Sequence, residues 1–224
     1  MNSPRGWVRA ATSTLSDRPV PQPDLPQRLR QATQSLHRQA ERSGVMARLL
    51  GRRLDRASYA ALVGNLQALY AALEPALAGW PEARALGALG RADALGADLR
   101  ALRDLGEAMP APVSATRDYV TRLGQAGATA PHRLAAHAYV RYLGDLHGGQ
   151  VLQRLVIELY RLPGATGTRF YQFGPPEHVQ QLRDAVRAWL AAVPLTAAQA
   201  DDVVAEAQWA FEAHCRMFEQ LDAT

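Results

Sequence analysis

The chain has a single cysteine, Cys215, among 224 residues, which excludes a disulfide scaffold. It has no run approaching ~20 uninterrupted apolar residues, so nothing in it reads as a membrane span. It has no lysine at all: the 25 basic side chains are all arginine, set against 21 acids for a formal charge of +4. That balance is too mild to point to a nucleic-acid partner. Arginine stays charged and grips carboxylates bidentately, although a coding bias that also enriches Ala and Gly accounts for most of the pattern. What is present is a 48% hydrophobic composition. This excludes a wholly disordered chain and allows one globular domain with a sizeable core.

Pro4, Pro19, Pro21, Pro23 and Pro26 lie among Ser, Thr and Arg with no apolar periodicity. Residues 1–24 are therefore expected to form a disordered extension. Arg5, Arg9 and the lack of acids before Asp17 hint faintly at a transit peptide, and no secretory apolar segment is seen. From Asp24 onward the apolar period is helical, over a domain expected to cover 25–224. Asp24 can cap a helix carrying Leu25, Leu29, Ala32, Leu36 and Ala40 on one stripe. A second, entered near Asp55, places Tyr59, Leu62, Val63, Leu66, Leu69, Tyr70 and Leu73 at steps of 3 and 4, and Pro75 marks its end or a kink. The Gly/Ala-rich stretch 80–106 suits one or two shorter helices, and Pro112 and Pro131 read as first-turn prolines. After a Gly/Pro-rich connection, two helices near 176–192 and 197–221 close the chain, with Thr196 as a cap. No segment alternates with period two. The expected fold class is all-α, a single-domain helical bundle.

One stretch breaks the pattern. Between Tyr142 and Leu152 the helical sequence contains Gly144, Gly148 and Gly149. Each costs about 1 kcal/mol relative to Ala inside a helix, so the three together cost roughly 3 kcal/mol. A tight helix–helix crossing would explain them, as would a loop dividing two helices. A flat, bulky ligand lying on exposed backbone is the third reading, favoured by Gly144 and Gly148 sharing a face at i,i+4.

The run from Ala136-His137-Ala138-Tyr139-Val140-Arg141 through Tyr142-Leu143-Gly144-Asp145-Leu146-His147-Gly148-Gly149-Gln150 resembles the distal-helix signature of heme oxygenases, with His147 where the usual form has serine. Leu36-His37-Arg38-Gln39-Ala40-Glu41, followed by Met46, resembles the family's proximal-histidine segment at the right separation upstream. Trp209-Ala210-Phe211 through Met217-Phe218-Glu219 resembles its last helix, so the likeness covers roughly 25–221.

The resemblance implies a helical bundle of the heme oxygenase type with a Gly-kinked distal helix. Heme b would be both substrate and cofactor, cleaved with O2 and external electrons to biliverdin (the IXα isomer), CO and Fe(II). It implies His37 as the axial iron ligand, with Glu41 at i+4 fixing the ring's orientation. Gly144 and Gly148 would pack against the porphyrin, and Phe211 would line the pocket, with His214 three residues on. Asp145 would direct proton delivery through ordered water, with Tyr139 and Arg141 sharing its hydrogen-bond network. The heme carboxylates would meet Arg30, Arg183 and Arg187, and Tyr139 could reach one of them as well. His147 is expected to point away from the heme face, and His137 to be packing.

Nothing in the chain resembles a flavin or nicotinamide site. Electrons would come from a ferredoxin- or flavodoxin-type donor or another reductase, whose acidic surface would suit the scattered basic one. A bilin-accepting photoreceptor is a further possible partner. The remaining expectations are a cytoplasmic monomer without membrane attachment. A non-catalytic heme-binding or heme-delivery protein on the same scaffold is the alternative, for which His147 is the one sequence feature. A thiaminase-like hydrolase would require a nucleophilic cysteine in the pocket, and Cys215 is the only candidate.

Overall fold

The computed structural model describes residues 24–223, so the expected extension lies outside the described residues except for Asp24. Asp24 caps the first helix, α1 (Leu25–Ala40), its carboxylate accepting from the Gln27 amide at 3.1 Å. α1 leads into the short α2 (Gly44–Leu50). Gly44 has φ +38°, and a Cβ there would stand 2.0 Å from the Phe218 carbonyl oxygen. Only glycine lets this turn press directly on the last helix.

α3 (Arg56–Ala78) is the centre of the molecule. Asp55 caps it through the Ser58 amide at 2.8 Å. Tyr59, Leu62, Leu66, Leu69, Tyr70 and Leu73 are all buried, as the 3- and 4-residue spacing predicts. Pro75 sits on the exposed side and the helix runs on to Ala78, so it marks neither the end nor the interior of the packing face. The Gly/Ala-rich middle supplies a 3-10 stretch (Pro81–Leu89) and α4 (Ala92–Asp104). α5 (Ser114–Thr129) begins two residues after Pro112. That proline therefore lies ahead of the helix and not in its first turn as read from sequence, because Val113 is the cap residue. Buried Asn65 on α3 anchors this start, accepting from the Val113 amide at 3.0 Å and the Thr116 hydroxyl at 2.6 Å.

A 3-10 turn headed by Pro131 feeds α6 (Leu134–Ala138). A π-helical turn (Tyr139–Leu143) follows, and α7 (Gly144–Tyr160) continues it. The departure from α-geometry thus falls on the turn before the first glycine. Such single π turns collect at functional sites. In the Gly/Pro-rich connection, buried Asp98 of α4 accepts the backbone amides of Arg169 and Phe170, each at 2.8 Å. This pins a 3-10 turn (Arg169–Tyr171) against α7. α8 (Pro176–Ala192) and α9 (Ala197–Asp222) close the fold. A capping box starts α9, with Gln199 N to Thr196 Oγ1 at 3.2 Å and Thr196 N to Gln199 Oε1 at 2.9 Å. α9 packs along α1, α2, α5 and α6, so one side of the site described next is closed by this helix. No strand occurs among the described residues, and none of their helices is long and apolar enough to cross a membrane.

Candidate functional site

A cleft of about 360 Å³ opens between the elements that carry the two sequence segments of interest. That is the size class of ligand pockets. His37, Ala40 and Glu41 at the end of α1, with Met46 and Leu50 of α2, form one part of the wall. Arg141, Gly144, Asp145, His147 and Gly148 form another. Leu62 and Leu66 of α3, Phe170 and Tyr171 of the pinned turn, and Phe211, His214 and Phe218 of α9 complete it. The lining is mostly apolar. Leu50 and Val151, large apolar residues that remain exposed, also line the cleft and mark its mouth.

The glycines separate cleanly. A Cβ built on Gly149 would meet the Tyr171 backbone at 3.5 Å, an ordinary packing contact. A Cβ on Gly144 or Gly148 would meet nothing within 4 Å, and both residues line the cleft. At 149 a methyl group would simply pack on the Tyr171 turn. At 144 and 148 the missing side chain leaves open cavity, as a flat ligand lying on the helix requires.

Asp145 sits 9% exposed at the inner end of the cleft, with both oxygens occupied. Arg141 donates to its Oδ1 at 2.7 Å, and the hydroxyl of buried Tyr70 donates to its Oδ2. Arg141 also donates through Nε to the Tyr70 oxygen at 3.3 Å and through NH1 to His214 Nε2 at 3.2 Å. His214 therefore carries its proton on Nδ1, which donates to the Ala210 carbonyl at 2.7 Å. Burial and the adjacent Arg141 push the His214 pKa down to about 3, so the ring is neutral. Burial raises the Asp145 pKa above the ordinary carboxylate value, against the pull of Arg141 and Tyr70. Burial opposes the charge on Arg141, but Asp145, Tyr70 and Tyr119 together outweigh it and the guanidinium stays charged. Burial holds the Tyr70 hydroxyl protonated far above its usual range. The result is a fixed array in which each donor has one acceptor.

Tyr70 is absent from the sequence reading as a polar partner, and Tyr139, expected in the Asp145 network, is not there. The Thr33 hydroxyl spends its proton on the Leu29 carbonyl at 2.7 Å, so Tyr139 donates to Thr33 at 3.1 Å. Arg30, exposed on α1, acts electrostatically on that same phenol, which groups Arg30 with Tyr139 away from Asp145.

His37 is 52% exposed, with Nδ1 3.6 Å from the equally exposed Glu41 carboxylate. The Phe211 ring meets it edge-on at a centroid distance of 5.8 Å. His147, expected to point away, instead lines the cleft. The reason is local: its Nδ1 bonds back to the Leu143 carbonyl at 2.5 Å, which turns Nε2 toward Arg187 at 3.1 Å. Arg183, one turn before Arg187, has a buried Nε with no partner. His137 is fully buried between Tyr119 at 3.0 Å and Glu206 at 3.1 Å and takes no part in the cleft. Cys215 is buried, does not line the cleft, and has its thiol pKa raised by burial, which removes the hydrolase reading.

An all-α protein with an apolar cleft, a half-exposed histidine, a glycine face and a buried Asp–Arg–Tyr array defines a class of cofactor-scale ligand binder. The family model described as heme oxygenase matches residues 23–220. A heme oxygenase of Pyropia yezoensis is 35% identical over 208 residues, covering 89% of this chain and 87% of the relative. Heme oxygenase 1 of Synechocystis sp. is 33% identical over 205 residues, covering 89% and 85%. Among solved structures, the heme oxygenase of Leptospira interrogans superimposes with a TM-score of 0.81 at 29% identity, covering 88% of this chain and 100% of that one. Heme oxygenase-2 of Synechocystis sp., solved with heme and NO, superimposes with a TM-score of 0.82 at 32% identity, covering 89% and 85%. The chain belongs to the heme oxygenase family, oxidoreductases that act on heme.

Proposed function

We propose that heme lies in the cleft on the backbone of Gly144 and Gly148, held by His37, and is cleaved with O2 and external electrons to biliverdin IXα, CO and Fe(II). The observation that carries this is the open space over Gly144 and Gly148, where a Cβ at either position would project into the cleft. When bound, heme supplies both the iron at which oxygen is activated and the carbon that is oxidised.

The chain's own residues do the rest. His37 offers a ring nitrogen at the mouth, and Glu41, 3.6 Å from its Nδ1, is the carboxylate that would orient the ring by closing to hydrogen-bond distance when heme is bound. Phe211 braces that ring edge-on. Asp145, held in place by hydrogen bonds from Arg141 and Tyr70 at the inner end of the cleft, directs proton delivery there through ordered water. Arg141 is the charge that keeps the array in one arrangement. Phe170, Leu62 and Leu66 exclude bulk water. Arg187, bonded to both His147 and Asp184, and Arg183 one turn before it lie on α8 beside the His147 edge of the cleft, and Arg30 stands near Tyr139 on the other side. These suit the two carboxylates of heme. An external ferredoxin-, flavodoxin- or reductase-type donor supplies the electrons.

A heme carrier would be favoured if His147 could serve as a second iron ligand. Both of its ring nitrogens are engaged, by Leu143 and Arg187, which argues against that role. The test is turnover: load the protein with hemin, add reductant and oxygen, and follow the Soret band and the bilin absorbance. Loss of the Soret band with growth of a bilin band is expected. A lasting heme spectrum without bilin overturns the reading.

A further inference from the structure

His147 stands where the heme oxygenase pattern has serine, and its geometry gives the substitution a task. Its Nδ1 lies 2.5 Å from the Leu143 carbonyl, which can only accept, so Nδ1 carries the proton. Its Nε2 lies 3.1 Å from Arg187 NH2, which can only donate, so Nε2 presents a lone pair. The two partners thus select one neutral tautomer, and the ring becomes a strut from α7 to α8. Arg187 NH1 is taken by Asp184 at 3.3 Å, so its guanidinium is held from two sides while its side chain remains 47% exposed. Burial favours the neutral ring, and so do the charges of Arg187 and Arg183 on α8 and of His37 on α1, while the Leu143 bond works the other way. A serine at 147 would end one atom beyond Cβ. It could reach its own turn but not α8.

We infer that His147 is a positioning residue, which pins Arg187 at the cleft rim so that the arginine meets one heme carboxylate in a fixed register. That register sets which edge of the macrocycle faces Asp145, and so which meso carbon is cut. The inference rests on the heme reading given above.

The test uses the full chain, titrated with hemin and with hemin dimethyl ester, whose carboxylates carry no charge. Wild type is compared with His147→Ser, His147→Gln, Arg187→Ala and the Ser/Ala double variant. Gln restores an acceptor oxygen near the Nε2 position. His147→Ser is expected to weaken hemin binding about fivefold, or ~1 kcal/mol, because the lost hydrogen bond acts on heme only through the partly exposed Arg187. It should weaken it no further once Arg187 is gone, and it should leave the ester unaffected. The Gln variant should stay within about twofold of wild type. The distribution of bilin isomers should broaden in the Ser variant and narrow again in the Gln variant. A loss that persists in the Arg187→Ala background, or that appears equally with the ester, would show His147 acting on heme or the fold directly and would overturn the inference. An unchanged affinity and isomer distribution in His147→Ser would overturn it too. A wild-type protein with no saturable Soret titration would instead bring down the heme reading itself.

Discussion

The two walls of the cleft are built in opposite ways. The Asp145 wall is buried, and its polar atoms are partnered before any ligand arrives: Arg141 and Asp145 are 11% and 9% exposed, with Tyr70 and His214 behind them. The His37 wall is open, with both His37 and Glu41 52% exposed and 3.6 Å apart. A group that must steer protons gains from dipoles fixed in advance, because they need no reorganisation during reaction. A group that must capture a ligand gains from a free nitrogen at the mouth. One wall is therefore fixed by folding, and the other is left free to bind.

The largest expected effect separates those roles. His37→Ala should abolish bilin formation and leave only weak hemin binding, yet shift Tm by no more than about 2 °C, because exposed substitutions stay within ~0.5 kcal/mol. Full activity in that variant would remove His37 from the site. The contrasting change is Asp145→Ala, which strands Arg141 in the interior. Breaking a buried pair costs about 3–5 kcal/mol, so Tm should fall on the order of 10 °C. Asp145→Asn keeps the shape, and there hemin affinity should persist while bilin yield falls. Equal yield would place proton delivery elsewhere, and an unchanged Tm in the Ala variant would break the contrast between the walls.

The glycines sharpen the contrast within one helix. Gly144→Ala and Gly149→Ala should each gain up to about 1 kcal/mol in helix stability. The Cβ at 149 meets Tyr171 at an ordinary 3.5 Å, while that at 144 projects into the cleft. Only Gly144→Ala should then weaken hemin binding, by about tenfold, the ~1.4 kcal/mol of a lost close contact. Soret titrations and thermal melts of the pair decide it, and equal binding would mean that no ligand lies on Gly144.

Much of this was written in local pattern. The spacing along α3, the caps Asp24, Asp55 and Thr196, and the glycine run need only neighbouring residues to be read. What escaped depends on partners far along the chain. Tyr70 belongs to an apolar stripe, and only the fold reveals that its hydroxyl meets Asp145, 75 positions on. Phe170 and Tyr171 lie in a Gly/Pro-rich connection and reach the cleft because Asp98 holds their turn. The π turn at Tyr139–Leu143 leaves no mark in composition. The family resemblance implies Tyr139 in the Asp145 network, but its hydroxyl faces α1 and finds Thr33. His147 was read from its own helix alone, and its partner Arg187 is 40 positions away.

The smallest expected effect is on stability in acid, and it belongs to the buried wall. His214 is held neutral with a pKa of about 3 by burial and by Arg141, against an ordinary histidine value of 6.5. Between those values the unfolded chain binds a proton that the folded chain refuses, so stability falls as pH falls through this window. Buried His137 is shifted in the same direction. Glu206, whose burial is outweighed by hydrogen bonds from Arg122 and His137, is lowered from 4.5 to about 2 and loses its contribution over that lower range. His214 alone should cost about 1 kcal/mol between pH 7 and 5.5. His214→Gln, which keeps an acceptor for Arg141 without a titrating ring, should flatten that part of the profile. Urea midpoints measured across pH 8 to 5 on both proteins provide the check. A ramp of the same slope in the Gln variant would mean that His214 is not the neutral acceptor on which the Asp145 wall is built.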